Sequence, residues 1–577
     1  MTENIKPRDV QILQIGPDTK VLRSRTWDRL KFEVEYSLQR GTTANSYLIE
    51  SEKTALIDPP GESFTQNYLE SLQARFDLSQ LTYVILGHFN ANRGATMKAL
   101  MDLAPHLTFV CSNPAALALR DYFPDQELNI AVVRGEDTLD LGEGHQLVMT
   151  TTPTPRWPDG MITYDTKTQI LFTDKFFGAH VCGDQVFDEG WSIYREDRQF
   201  YYDSLHAAQA KQVLALLEKI GDLPVSFYAP GHGPLARYGM REITAAYREW
   251  SEKQKSADVN VALIYASAYG NTATVAQAIA KGLTKSGVAV ESINCEVAEP
   301  TEIQAAVEKC DGFIIGSPTL GGHAPTQIQT ALGIILNTAS KNKLAGVFGS
   351  YGWSGEAIDM LEGKLKDAGY KFGFEPMRVK FTPTDAVIQE CEEAAIDYAQ
   401  TLKKSQKLRA AANPQGVTTS LGSDRTAQAM GRVVGSLCIV AARRGEIQSG
   451  MLASWVSQAT FTPPGITVAV AKDRAMESLS YTGDKFVLNI LAEGKQLRKH
   501  FMKRFAPGED RFAGLATEEA QNGCLILTDA LAYLECVVQN RMDCGDHWVV
   551  YATVHNGKVL NPDGVTAVHY RKTGSYY

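Results

Sequence analysis

The chain has 577 residues, 44% of them hydrophobic and 21% charged, with a net charge of −9. The length allows three or four domains, and the acidic balance argues against nucleic acid as a partner. No apolar run reaches the roughly 18 residues of a membrane helix, residues 1–7 hold no apolar signal core, and the nine cysteines include no C-x-x-C pair, so a reducing, cytoplasmic setting with no membrane span, no disulfide frame and no zinc site is expected.

From the amino terminus, apolar stretches at 45–49 and 54–58 alternate with turn signals. Tyr83-Val84-Ile85-Leu86 then leads into His88-Phe89-Asn90-Ala91-Asn92-Arg93. This opening resembles the metallo-β-lactamase fold, which places metal ligands in a His-rich loop after such a strand. In the flavodiiron branch of that fold the loop reads H-x-E-x-D-H. Here the first His stays as His88, both acids are Asn (Asn90, Asn92), and the last His is Arg93.

A polar stretch at 250–258 reads as a linker, and the apolar run 259–265 after it as a buried strand. Ser267-Ala268-Tyr269-Gly270-Asn271-Thr272 follows, then an Ala-rich helical pattern. Strand, small-residue turn and helix make a phosphate site: the hydroxyls of Ser267 and Thr272 and the backbone N–H groups around Gly270 and Asn271 can wrap a phosphate at a helix start. The form recurs in the run 312–316 before Ser317-Pro318-Thr319-Leu320-Gly321-Gly322, and in the run 344–349, closed by Gly349, before Ser350-Tyr351-Gly352-Trp353-Ser354-Gly355. Three strands ending in three small-residue loops suit the carboxyl edge of a doubly wound sheet. The module resembles flavodoxin, which implies bound FMN, with Tyr269, Tyr351 and Trp353 as candidates to flank its ring.

A small, polar, basic stretch over 404–424 reads as a flexible connector. Beyond it, β-rich runs at 433–440, 450–457 and 466–470, with Pro463-Pro464 between, suggest a small barrel. The succession resembles the flavin reductase family, a split barrel that binds FMN or FAD and accepts hydride from NAD(P)H. That resemblance places Ser454, Trp455 and Val456 along the flavin and Lys472 and Arg474 at its phosphate. The segments around Asn489 and His547 also match.

Together the three modules resemble the flavodiiron proteins of oxygenic phototrophs with a fused flavin reductase. The fold class expected is a metallo-β-lactamase-like αβ/βα domain (1–255), a flavodoxin-like doubly wound α/β domain (259–403), a linker (404–424) and a flavin-reductase-like split β-barrel (425–577). The resemblance implies NAD(P)H oxidation, two flavins in relay and reduction of O₂ to water at a diiron centre, in homo-oligomers or with a paralogue. Spacing places the remaining metal positions at Arg156, Lys175 and His232, 62 residues separating Arg93 from Arg156 and 18 separating Arg156 from Lys175. The family carries His, Asp and His there. Arg cannot ligate, and a cation about 4 Å from a unit charge costs about 4 kcal/mol at an effective dielectric near 20. Iron binding is therefore expected to be absent and a bound anion is expected in its place, although a one-residue shift could bring Asp174 to the position of Lys175. No catalytic residue is assigned. Three readings follow: a subunit paired with a metal-competent paralogue, a self-sufficient reductase of O₂ or nitric oxide, or a non-catalytic regulatory partner with an anion pocket.

Overall fold

The structure, a computed structural model, describes residues 7–27, 31–32, 35–36, 40–412, 421–494, 496–503 and 505–571. The chain divides into two compact units, 1–258 with 289–299, and 259–288 with 300–577.

The first unit holds two sheets. One runs Asp9–Gly16, Thr19–Thr26, Thr42–Ile49, Thr54–Ile57, Leu81–Ile85, Thr108–Ser112, Ile130–Val133 in spatial order, and the other Glu136–Gly142, His145–Thr151, Met161–Asp165, Ile170–Asp174, Phe227–Pro230. Side chains alternate across each strand. Tyr47, Ile57 and Ile85 face inward against Leu147, Met149 and Phe172 of the other sheet, while Leu48, Leu56 and Val84 face outward under the helices Thr65–Gln73, Gly94–Leu103 and Asn113–Tyr122. The second sheet is covered by Ala210–Ile220 and Met240–Lys255. This is the four-layered αβ/βα arrangement.

The expected linker at 250–258 is mostly helix. Met240–Lys255 is one helix, and Ile243, Tyr247, Trp250 and Ser251 are buried along it. Their three- and four-residue spacing is an amphipathic stripe that outweighs the polar composition.

In the second unit, Asn260–Tyr265, Gly312–Pro318 and Leu344–Tyr351 run parallel and in register, with Lys371–Phe372 and Met377–Lys380 beyond Leu344–Tyr351. The helix Asp385–Ala412 lies against this layer. It buries Ile388, Cys391, Ala395, Tyr398 and Leu402 at helical spacing, and the Tyr398 hydroxyl donates to the Leu344 carbonyl at 2.7 Å. After it, seven antiparallel strands follow the spatial order Ile447–Ala453, Cys438–Arg444, Lys485–Ile490, Ala532–Asp543, His547–Val559, Pro464–Ala471, Val456–Phe461. They enclose a core of Val440, Val468, Phe486, Leu488, Cys536 and Val550.

The stretch read as a flexible connector over 404–424 is helical at both ends, in Asp385–Ala412 and Leu421–Met430; its centre, 413–420, lies outside the described residues. Leu, Lys, Gln, Arg and Ala are strong helix formers, and that preference overrides the lack of an apolar stripe. The run 433–440 begins as a strand only at Gly435, leaving Val433 and Val434 exposed.

Candidate functional site

The strand Leu81–Ile85 delivers His88 and the short turn Ala91–Arg93 to one end of the first unit's sheets. Arg93 turns inward and is buried. Its Nη1 donates to Asp58 Oδ1 at 2.8 Å and to the His88 carbonyl at 3.0 Å, and its Nη2 lies 3.4 Å from Asp174 Oδ1. Asp174 Oδ2 meets His88 Nδ1 at 2.7 Å. Burial and then mutual proximity push the Asp58 carboxyl up; burial does the same to Asp174. Burial opposes the charge of Arg93, but the Asp58 and Asp174 carboxylates more than offset it and raise the guanidinium. Asp159 has no ion-pair partner among the described residues: its Oδ2 accepts the Phe89 N–H at 2.7 Å, and burial raises it to about 6.

Arg156 and Lys175 share the Trp157 ring, 4.7 and 5.7 Å from its centre. Lys175 Nζ lies 3.4 Å from His232 Nε2. His232 Nδ1 faces the Thr43 carbonyl at 2.8 Å, so that nitrogen carries the proton and Nε2 offers its lone pair to the ammonium. Burial and then the Lys175 charge hold His232 well below the usual imidazole range; burial holds His180 and His206 at about 3. The pocket thus presents two cations and three neutral imidazoles. Asn90 leans toward His88 Nε2 at 3.5 Å, whereas Asn92 is exposed and packs over Gly61, where any Cβ would come within 2.6 Å of its Nδ2.

In the second unit the three loops meet at the carboxyl edge of the parallel strands. Thr272 Oγ1 and Ser350 Oγ lie 2.7 Å apart, the Thr319 N–H donates to the Ser350 carbonyl at 2.9 Å, and Ser267 Oγ accepts the Ala273 N–H at 3.0 Å, capping the helix Asn271–Lys285. Gly270 turns into that helix at φ +80°, a conformation that favours glycine. Gly349 passes so close to the next strand that a Cβ would stand 2.3 Å from the Ser317 carbonyl. Pro318 ends its strand beside Ser350, Gly321 opens the next turn, and Gly355 precedes the helix Glu356–Asp367. Tyr269 and Trp353 are 84% and 92% exposed, Tyr351 is half-buried, and Phe381 stands edge-on to Trp353 at 6.3 Å with its ring over Gly352. Thr319 Oγ1 is buried with no partner among the described residues. That orphaned hydroxyl, the open glycine turns and the capped helix start fit a flavin phosphate below an exposed aromatic rim.

On the barrel a cavity of 560 Å³ is lined by Ser454, Trp455 and Arg474, with Arg498, Lys503, Arg511 and Lys404 adding positive charge against Glu393, Asp397 and Asp473. Five cations against three carboxylates suit a phosphate-bearing ligand. The His547 ring lies tilted against Trp455, 5.0 Å between centres, and bonds Asp546 through Nδ1 at 2.8 Å. Val456 begins the strand that leaves the cavity. Val456, Lys472, Asn489 and His547 are not among the lining residues. Lys472 pairs with Asp543 at 2.7 Å over the Trp548 ring, and Asn489 is buried in the barrel, where it accepts the Leu527 N–H at 2.8 Å and donates to the Leu525 carbonyl at 3.2 Å.

Comparison with known proteins finds a family for each of the three modules. Family models match in succession: "ODP family beta lactamase" over residues 42–233, "Flavodoxin" over 263–394 and "Flavin reductase like domain" over 430–576. Diflavin flavoprotein A 6 of a Nostoc species is 64% identical over 99% of both chains, and diflavin flavoprotein A 3 of a Synechocystis species is 62% identical over 99% of this chain and 96% of its own. The chain belongs to the diflavin flavoprotein A family of flavodiiron proteins. A solved structure, the metal-soaked Flv1 flavodiiron core from Synechocystis, is 61% identical, with a TM-score of 0.68 over 69% of this chain and all of its own.

As a diflavin flavoprotein A, the chain is a flavin-binding oxidoreductase with the expected three folds. Its metal pocket does not fit the family's diiron centre. Among the described residues no group of three or more His, Cys, Asp or Glu is placed to hold a metal ion. The one-residue shift to Asp174 is closed off, because Arg93 and His88 already engage that carboxylate. Several side chains at these candidate sites lie outside the motifs. His180 and His206 lie outside the family spacing, and Phe381 and Arg511 sit far along the chain from the loops they join. Of these, only Phe381 carries a local mark, a left-handed backbone at φ +57°. No helix among the described residues is long and apolar enough to cross a membrane.

Proposed function

We propose that this chain is an NAD(P)H-dependent diflavin oxidoreductase subunit that takes part in O₂ reduction to water together with a metal-competent paralogue. The modules are 1–255, 259–403 and 425–577, and the protein works as an oligomer in the cytoplasm. The barrel cavity holds FMN or FAD, with Arg474 and Arg498 toward the phosphate and Trp455, backed by His547, along the ring. The loops at Ser267–Thr272, 317–322 and 349–355 hold FMN, leaving its ring between Tyr269 and Trp353. When bound, a flavin takes two electrons from a reduced nicotinamide and can release them singly.

One observation carries the choice of a paired subunit: Arg93 sits between Asp58 and Asp174, where its charge replaces that of a metal. Anaerobic reduction of the full-length chain by NADPH and by NADH tests the reading. Both flavins are expected to reduce, with rapid O₂ uptake only after a paralogue is added. Rapid four-electron O₂ reduction by the isolated chain would favour the self-sufficient alternative. The regulatory reading has its own support, because Lys175 has no carboxylate within ion-pair distance among the described residues and faces a neutral imidazole. Such a cation beside Arg156 favours a bound anion.

A further inference from the structure

The barrel's cavity has a wall that the barrel does not make. Glu393, Asp397, Gln400 and Lys404 line it, and all four project from Asp385–Ala412, the long helix that packs on the flavodoxin-like strands. Two of them grip parts of the barrel that carry the cavity's charge. Glu393 Oε1 lies 3.6 Å from Arg511 Nη2, and its Oε2 accepts the Gly508 N–H at 3.2 Å. Gln400 Nε2 donates to Asp473 Oδ2 at 3.1 Å, next to Arg474.

Behind this wall lies a buried ionic network. Lys285, the last residue of the helix Asn271–Lys285, bridges Glu392 at 2.6 Å and Glu477 at 2.5 Å. Lys281 reaches Glu392 at 3.4 Å, and Arg541 reaches Glu477 at 3.0 Å while its guanidinium stacks 4.0 Å from the Tyr481 and Trp548 rings. Glu477 sits in the short turn Ala475–Leu479, which starts directly after Arg474. A grip on Glu477 therefore fixes the loop that carries Arg474. Isolated buried charges are costly, and replacing such a set with apolar residues is often neutral for stability. The network ties Asn271–Lys285, Asp385–Ala412 and Ala475–Leu479 together, which points to a positional role.

We propose that the barrel's flavin site is composite. Glu393 and Gln400 are positioning residues that hold Arg511 and the Asp473–Arg474 loop for the phosphate of the bound flavin, and the Lys285–Glu477 pair anchors the helix that presents them. The proposal rests on the reading of the cavity as a flavin site. Its ligand is a phosphate-bearing isoalloxazine, FMN or FAD.

The test uses the full-length chain, stripped of flavin and titrated separately with FMN and with FAD. Wild type should bind in two phases, one assigned to the 267–355 loops and one to the barrel. Gln400→Ala and Glu393→Gln should each weaken the barrel phase roughly tenfold, the size of one lost hydrogen bond to a charged group, and leave the FMN phase of the loops unchanged. Gln400→Glu should weaken it further by repelling Asp473, and Gln400→Lys, which still donates to Asp473, should restore it. The arm that shows the tighter second phase identifies FMN or FAD. If both variants bind the second flavin as wild type does, the helix is no part of the site and the proposal is overturned. A wild-type chain with no second phase for either flavin overturns the flavin reading of the cavity and the proposal with it.

Discussion

The Arg93 guanidinium donates to the Asp58 carboxylate at 2.8 Å inside a pocket from which water is largely excluded. Asp174 closes the other side at 3.4 Å. Two buried carboxylates need a cation between them, and in this chain a side chain supplies it. The substitution at position 93 is therefore compensated by its neighbours. It does not leave the exposed, repelling charge that the loop sequence alone suggests.

Arg93→Met should destabilise the first unit by about 3–5 kcal/mol at neutral pH, the cost of leaving buried charge without its partner. The pH dependence has a definite sign. Asp58 and Asp174 are already raised, and without Arg93 they rise further, so the folded state holds protons that the unfolded state gives up. Stability then falls as pH rises through the raised carboxyl range and recovers on acidification. Urea denaturation at pH 5 and 7.5 measures this; a loss below about 1 kcal/mol at pH 7.5 would show that the pair contributes little.

Iron should not bind as a pair in the unmodified chain. Restoring the family's set together, with Asn90→Glu, Asn92→Asp, Arg93→His, Arg156→His and Lys175→Asp, should bring back two irons per chain. Single reversions should fail, because each leaves at least one cation to repel the metal. Asn92 faces outward, so the restored loop must also turn inward for its carboxylate to reach the metals. Elemental analysis after iron-replete expression decides it, and two irons in the wild-type chain would refute the reading.

The sequence made the folds legible because each module carries its own local signal. Strand-turn-helix punctuation marks the FMN loops, alternating runs mark the barrel, and a His-led loop follows the Leu81–Ile85 strand. The family resemblance, with its spacing, led to Arg93, Arg156 and Lys175 as neighbours. Which cation would be neutralised could not be read from it, since Asp58 is 35 residues from Arg93 in the chain and joins it only through sheet packing. Lys472 misled for the opposite reason. A Lys two residues before Arg474 reads as a phosphate ligand, but both lie in the turn after the strand Pro464–Ala471, where the pleat no longer sets side-chain direction, and Lys472 pairs with Asp543 while Arg474 lines the cavity. Both polar stretches carry more helix than expected, because a narrow buried stripe in one and helix propensity in the other outweigh low apolar content.

A chain cut after Ala412 keeps the whole helix that buries Tyr398 and Leu402, so the FMN loops should stay folded and one flavin should remain bound. Reduction by NAD(P)H should be lost and reduction by dithionite kept. Absorbance of the purified fragment and its anaerobic titration with each reductant measure this. A colourless fragment with intact secondary structure counts against the loops as an FMN site, and retained NAD(P)H turnover counts against the barrel as the entry point for electrons.

The buried junction should show itself in acid. Burial alone would raise the Glu477 carboxyl, but Lys285 and then Arg541 hold it at about 2, below its ordinary value of 4.5. A depressed carboxylate adds stability that is fully present above the unfolded value and is lost as pH falls toward the folded one. At about 1.36 kcal/mol per unit, that contribution is on the order of 3 kcal/mol, disappearing between roughly pH 5 and 2. Glu477→Gln should therefore lower the Tm of the second unit at pH 7 and flatten its decline on acidification, so that the gap between variant and wild type narrows from pH 7 to pH 3. Arg541, left stacked between Tyr481 and Trp548 without its carboxylate, adds to the loss at neutral pH. Differential scanning calorimetry of the full-length chain from pH 3 to 7 resolves the transition, and parallel pH profiles for variant and wild type would rule out an ionised Glu477 as part of what holds the junction.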